Sequence, residues 1–397
     1  MIVVVVATLV ACAPPPAGFG FAAVPTATFD TDEGFGTGGV ATIYHYDGAT
    51  EPYRDAVTLN VFISSKLVQS HGVTWDALRP FDVDGRLYVR LGYYSTVSEN
   101  YCGVGNDVTC ASPANTSDEA ARRFTLMRFI KPYATVIARP WLRADKPYRV
   151  ELMLGWRGFL LEPGDLFAAN AVDRASPYPS SLYARDFPGG EQGFESVPFV
   201  GAIVDDRDDE TFPARGLYAE ASVRGAHPVV GSSWTWAGAN AQLASYFTLL
   251  SAPPDSAPNA DPRVVLATRV IGDVIVGDPP VVDMARIGGT VDAISFGGAQ
   301  LGRGIREERY VGRVKAIAQA ELRAQLFDHV VLDQELDHGV AAFSDVGFIG
   351  TSVDDLGARP LKLLSTVGVS YRLLWNKTFA IRADLAVSPD EDDGPGF

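Results

Sequence analysis

Basic residues are scarce in this chain: 33 Lys and Arg stand against 48 Asp and Glu, a net charge of −15. No Lys or Arg precedes Arg54. A surface built to neutralise phosphates carries the opposite sign, so the balance argues against nucleic acid as the main partner. Cysteine is rare, with three residues. No internal apolar run reaches about 18 residues, which excludes a multi-helix membrane protein but not a barrel that crosses with alternating strands. Charged residues are only 20% against 47% hydrophobic, which excludes a disordered chain. There is no Gly-x-Ser-x-Gly, no phosphate loop and no dinucleotide fingerprint. Nothing therefore points to an enzyme, a cofactor or a small-molecule substrate. What the 397 residues hold in quantity is Gly (39), Phe (21), Tyr (15) and Trp (6), the profile of a β-rich, turn-rich protein.

The opening stretch MIVVVVATLVACAPPPAG is apolar and ends in Pro14, Pro15 and Pro16. It is too short to span a bilayer and has the character of a signal h-region, which assigns residues 1–23 to export and 24–397 to one barrel domain. Leu9-Val10-Ala11-Cys12 also fits a lipobox. The other two cysteines, Cys102 and Cys110, lie eight residues apart in a Gly/Asn/Asp-rich stretch. In an exported chain they are expected to form a disulfide closing a small loop.

Alternation is the informative signal. In 313–327 one set of positions reads Arg313, Lys315, Ile317, Gln319, Glu321, Arg323, and the other reads Val314, Ala316, Ala318, Ala320, Leu322, Ala324. A helix would scatter these charges around its circumference; a strand separates them. Leu217, Ala219, Ala221 and Val223 alternate likewise with Tyr218, Glu220, Ser222 and Arg224, and Ile381, Ala383 and Leu385 with Arg382 and Asp384. Fifteen such segments can be placed, near 24–30, 36–47, 56–66, 70–81, 86–97, 123–139, 148–161, 194–206, 215–226, 234–250, 263–276, 313–328, 335–349, 362–375 and 378–388. Their connections are short at one rim and long at the other, notably 163–193 and 279–312. Strands this long, after an export-like start, favour an all-β, up-and-down transmembrane barrel over a soluble β-sandwich. Aromatics near the strand ends, such as Tyr44, Tyr46, Trp141, Trp234 and Trp375, fit interfacial girdles.

Four motifs then coincide. They are Asp206-Arg207-Asp208 followed by Pro213-Ala214-Arg215-Gly216; Gly302-Arg303-Gly304-Ile305; Gln319-Ala320-Glu321-Leu322-Arg323; and Phe343-Ser344-Asp345-Val346-Gly347. In this order and spacing they resemble the BamA/TamA-type outer-membrane assembly superfamily, the bacterial surface antigen barrels, over residues 205–388. Asp32-Glu33-Gly34-Phe35-Gly36 and Cys102-Gly103-Val104-Gly105-Asn106 resemble it more loosely. The resemblance implies a sixteen-stranded barrel, without POTRA modules, in the bacterial outer membrane. It makes 206–216 a periplasmic turn and 279–312 the sixth extracellular loop. The tail from Pro389 to Phe397 carries Asp and Pro where a last strand would face lipid, so it reads as a loop with strand sixteen missing. The resemblance further implies that Arg303, between Gly302 and Gly304, folds into the lumen. There it would meet Asp345 of the Phe343–Gly347 motif, with Glu321 as a second acceptor.

Two other clusters read as solvated turns. Asp205-Asp206-Arg207-Asp208-Asp209-Glu210 offers carboxylates suited to calcium but occupies the periplasmic turn, and His329, Asp333, Glu335, Asp337 and His338 match no regular metal spacing. No metal is expected. The expected function is an outer-membrane barrel related to protein assembly or translocation, its lumen plugged by the loop bearing Arg303. Its partners would be outer-membrane lipid and client outer-membrane proteins. The alternative is a passive pore or structural surface antigen.

Overall fold

The computed structural model describes residues 2–3, 17–30, 34–50, 52–108, 110, 118–144, 148–165, 174–210, 212–251, 263–290, 296–331, 334–357, 360–375 and 379–391. Cys12, Asp32, Glu33, Asp333 and the tail beyond Glu391 lie outside them. Fifteen long strands make up nearly all of it. They are β2 (Gly18–Asp30), β3 (Gly34–Tyr46), β4 (Asp55–Ser64), β5 (Gln69–Leu78), β6 (Gly85–Asn100), β7 (Leu126–Arg143), β8 (Arg149–Pro163) and β9 (Gly193–Asp205). There follow β10 (Gly216–Ala226), β11 (Thr235–Leu250), β12 (Val264–Asp278), β13 (Val314–Val331), β14 (Gln334–Gly350), β15 (Leu364–Trp375) and β16 (Phe379–Val387). A two-residue stretch, β1 (Ile2–Val3), pairs with Phe29 and Thr28 of β2. Each strand pairs antiparallel with its sequence neighbours in one continuous sheet. Among the described residues β16 does not pair back onto β2, so the sheet is not closed.

β2 starts at Gly18, so residues 18–23, which hydropathy groups with the segment before them, are part of the strand. Gly18-Phe19-Gly20-Phe21 already alternates, and it pairs residue for residue with Ile43–Tyr46. The other segments differ from their expected bounds by a few residues.

Burial inverts the rule of a soluble protein. On β10 Glu220, Ser222, Arg224 and the terminal Ala226 are buried, while Val223 is exposed. On β13 Lys315 and Glu321 are buried, while Leu322 is 46% exposed. The same holds for Val270 on β12 and Val369 and Leu385 on the last two strands. An apolar face turned outward and a charged face turned inward suit a hydrocarbon surround and a polar interior.

The three longest connections, between β6 and β7, β8 and β9, and β12 and β13, lie at one rim, and Cys102 and Cys110 form the disulfide within the first of them. A short helix, Leu182–Asp186, capped by the Ser181 side chain, lies in the connection from β8 to β9. It packs with Tyr101, Met127, Phe129, Phe159 and Val281 in an apolar cluster under this rim.

Candidate functional site

The segment between β12 and β13 returns across the charged interior and is fastened to it at several points. The Val281 amide donates to the Glu191 carboxylate at 3.0 Å, Gly288 to Asp273 Oδ2 at 3.0 Å, and Thr290 to Glu220 Oε1 at 2.9 Å. At the tip, Gly302 and Gly304 have φ of 69° and 98°, the left-handed region that a side chain resists. A Cβ at Gly302 would stand 2.8 Å from the Phe296 ring. One on Gly347 of β14 would meet the same ring at 2.5 Å. Phe296 is thus a fully buried wedge between the loop tip and the wall. Leu301, Ile305, Tyr310, Ile317 and Ile349 pack in the same cluster.

This turn aims Arg303 at the two adjacent strands β13 and β14, whose register sets Gln319 opposite Asp345 and Glu321 opposite Phe343. The Arg303 guanidinium forks onto Asp345, Nε to Oδ2 at 3.1 Å and Nη2 to Oδ1 at 3.0 Å, and its backbone amide also donates to Oδ2 at 3.2 Å. Nη1 reaches Glu321 Oε2 at 3.0 Å. The guanidinium carbon lies over Phe343, 3.4 Å from the ring centroid. Asp345 is fully buried and Arg303 is 4% exposed. Glu321 also accepts from Arg323 Nε and Arg372 Nη2, both at 2.6 Å, so one carboxylate serves three arginines. Such forked, charge-assisted bonds in a screened interior are strong and geometrically exacting. The structure therefore brings together Gly302, Arg303, Gly304, Glu321, Phe343, Asp345 and Gly347.

The 206–216 turn is a separate structure at the opposite rim. Asp208 Oδ1 accepts from the Ala214 and Arg215 amides at 2.9 and 3.1 Å, and Asp206 accepts from the Leu217 amide. Arg207 forks onto Asp205 with both bonds at 2.8 Å. Pro213 is buried, Arg215 is exposed, and Gly216 turns the chain with φ of 105°. Glu210 pairs with Arg86 of β6; burial would raise its carboxyl, but Arg86, Arg139 and their neighbours hold it below the ordinary value. The acidic run is thus occupied by backbone amides and arginines. His329 and His338 stack at 4.9 Å between ring centroids, joined Nδ1 to Nε2 at 3.1 Å. Among the described residues no three His, Cys, Asp or Glu side chains are grouped to hold a metal.

Residues 173–397 match the Omp85 superfamily domain. The chain belongs to the Omp85 superfamily. In structure it is similar to BamA from Haemophilus ducreyi lacking POTRA domains 1–3, with a TM-score of 0.54 and 12% identity over 96% of this chain and 68% of that one. It is similar also to CdiB from Escherichia coli, with a TM-score of 0.57 and 11% identity over 96% of this chain and 60% of that one. At such identities the likeness shows the fold. Among curated proteins none matches the chain in sequence. Family and fold support an outer-membrane β-barrel.

A second ionic group, also inward-facing, went unmarked by any motif. Asp273 of β12 accepts from Arg224 Nη2 at 3.0 Å and Lys315 Nζ at 3.1 Å as well as from the loop at Gly288. Lys315 is fully buried. The available signal was a lone Asp in the apolar run Val270–Val276, where a charge must face inward or be paired.

Proposed function

We propose that this Omp85 barrel assists assembly or translocation of outer-membrane proteins, with loop 279–312 held in the lumen as a plug pinned by Arg303. The observation that carries the reading is the buried fork of Arg303 on Asp345 and Glu321, which ties the loop to two neighbouring wall strands. A long loop fixed in this way keeps the interior filled and the β13–β14 wall rigid. Client strands then engage where the wall is weakest, at the edges of β2 and β16, whose outer backbone groups lack a lateral long strand among the described residues. Outer-membrane lipid and client barrels are the partners of this reading. In cells dependent on this chain, Arg303→Ala and Asp345→Ala should each impair assembly of a partner outer-membrane protein while the barrel itself still folds. Undiminished assembly in both variants overturns it.

One observation favours a second reading, a pore. A cavity of about 550 Å³ remains on the short-turn side of the loop. A passive pore predicts a steady conductance that rises when residues 279–312 are shortened, and no conductance in either form removes it.

A further inference from the structure

That cavity has a charge at odds with its chain. Its walls come from β5–β8 and β10–β12, its floor from the 206–216 turn, and its roof from the loop at Arg286, Gly289 and Thr290. Among its described lining residues eight are Lys or Arg and only two, Asp76 and Glu210, are acidic. This basic concentration stands in a protein of net charge −15. Both carboxylates are already engaged by Arg86, which forks onto Asp76 at 2.5 and 2.7 Å and pairs with Glu210.

Two of the remaining cations lack a carboxylate within ion-pair distance among the described residues. Arg269 of β12 donates through Nε at 3.1 Å and Nη2 at 2.7 Å, both to the neutral Gln242 Oε1. Lys131 of β7 is 7% exposed, and its Nζ lies over the Tyr94 and Phe129 rings at 5.4 and 5.3 Å, with Glu308, Glu99 and Asp283 acting on it from beyond ion-pair distance. Arg157 and Arg286 line the same space.

We infer that this cavity is a binding site for a multiply charged phosphate group. Converging cations on low-dielectric walls focus a positive potential, which carboxylates beyond ion-pair distance offset only in part. A single carboxylate brings one charge, whereas a diphosphate brings several charges and enough acceptor oxygens for the Arg269 fork and the Lys131 ammonium. The volume lies within the range of small-ligand sites. The inference does not depend on the assembly reading, because it rests on side chains other than Arg303, its acceptors Asp345 and Glu321, and the edge strands. Nothing in the linear sequence marks the site, since its cations come one or two to a strand.

The test uses the purified full chain in non-ionic micelles, titrated calorimetrically with inorganic pyrophosphate and, separately, with micelles doped with phosphatidic acid. Saturable binding of one pyrophosphate per chain, weakening as salt rises, is expected. Arg269→Gln and Lys131→Gln should each weaken it roughly ten- to hundredfold, the loss of one charge-assisted contact. Arg269→Lys, which keeps the charge, should retain more of it. Lys362→Gln, at an exposed lysine paired with Asp107 in the loops, should leave it unchanged. If Lys131→Gln fails to fold, by loss of its heat-dependent gel shift, the Arg269 pair carries the comparison. Binding by both probes, or by the lipid alone, with the same variant pattern supports the site and names a headgroup as a source; binding by pyrophosphate alone names a soluble phosphate. Binding of neither probe, or equal affinity in Arg269→Gln and Lys362→Gln, overturns the inference.

Discussion

Taking one partner from a buried guanidinium costs more than the bond it made, because the charge that stays behind cannot be rehydrated. Arg303 is in that position. Asp345→Ala removes three of its contacts and leaves it on Glu321, which Arg323 and Arg372 already share. Breaking a buried pair in this way should destabilise the barrel by about 3 kcal/mol. Urea unfolding of the lipid-reconstituted protein measures it, and a loss below about 1 kcal/mol would show that the pair is solvated. Arg303→Lys keeps the charge but not the fork, so it should fall between wild type and Arg303→Ala. Steric fit at the same site gives a second prediction. Gly347→Ala places a methyl 2.5 Å from the Phe296 ring, an overpacking change of about 1–3 kcal/mol. Adding Phe296→Ala removes the wedge, so the two changes together should cost less than their sum. Strict additivity would mean that ring and glycine do not meet.

At the scale of elements, the loop between β12 and β13 is a series of separate anchors, and one of them titrates near neutrality. Glu191 stands in the connection before β9, where burial pushes its carboxyl up to about 7 from the ordinary 4.5, against the pull of the Val281 amide and the Tyr183 hydroxyl. A raised pKa means that the docked state holds a proton more firmly than the undocked one. The docking gained is therefore fully present below about pH 4.5 and is lost as pH rises through about 7. Proteolysis of residues 279–312 should accelerate from pH 5 to 8 relative to Glu191→Gln, which stays neutral throughout. A constant ratio of the two rates would contradict this. The strands were legible because alternation is local. A polar Gln319, Glu321 and Arg323 between alanines and Leu322 needs no partner strand to be recognised. Register and anchoring are not local, which is why nothing in the linear sequence groups Asp273, Arg224 and Lys315: they meet only once three strands and the loop are assembled. The first strand was read short for a related reason. Its Gly18–Phe21 start is apolar and small, so by hydropathy alone it merges with the segment before it, and only pairing with β3 separates the two.

For the whole molecule, the decisive property is which face of the sheet is wet. In a soluble sandwich an exposed leucine is already in water, so its replacement by arginine is close to neutral, within about 0.5 kcal/mol. In a membrane barrel the same residue lies against acyl chains, and arginine near the midplane costs about 2–4 kcal/mol. Leu322, Val270 and Val369 are mid-strand and 46%, 56% and 55% exposed, on three different strands. By geometry alone each would be rated a harmless surface site. We expect Leu322→Arg, Val270→Arg and Val369→Arg each to lower stability in lipid by an amount in the membrane range. Val330→Arg, 69% exposed beside the short turn into β14, should cost about 0–1 kcal/mol, because near the interface an arginine reaches headgroups and water. The measurement is urea unfolding of the four variants from the same vesicles. A depth-dependent loss requires a hydrocarbon slab around the sheet, since no soluble packing makes exposed mid-strand positions costly and exposed rim positions free. Four near-neutral variants would instead put water on the apolar face and leave the inward-facing charges of β10, β12 and β13 without a reason to be buried.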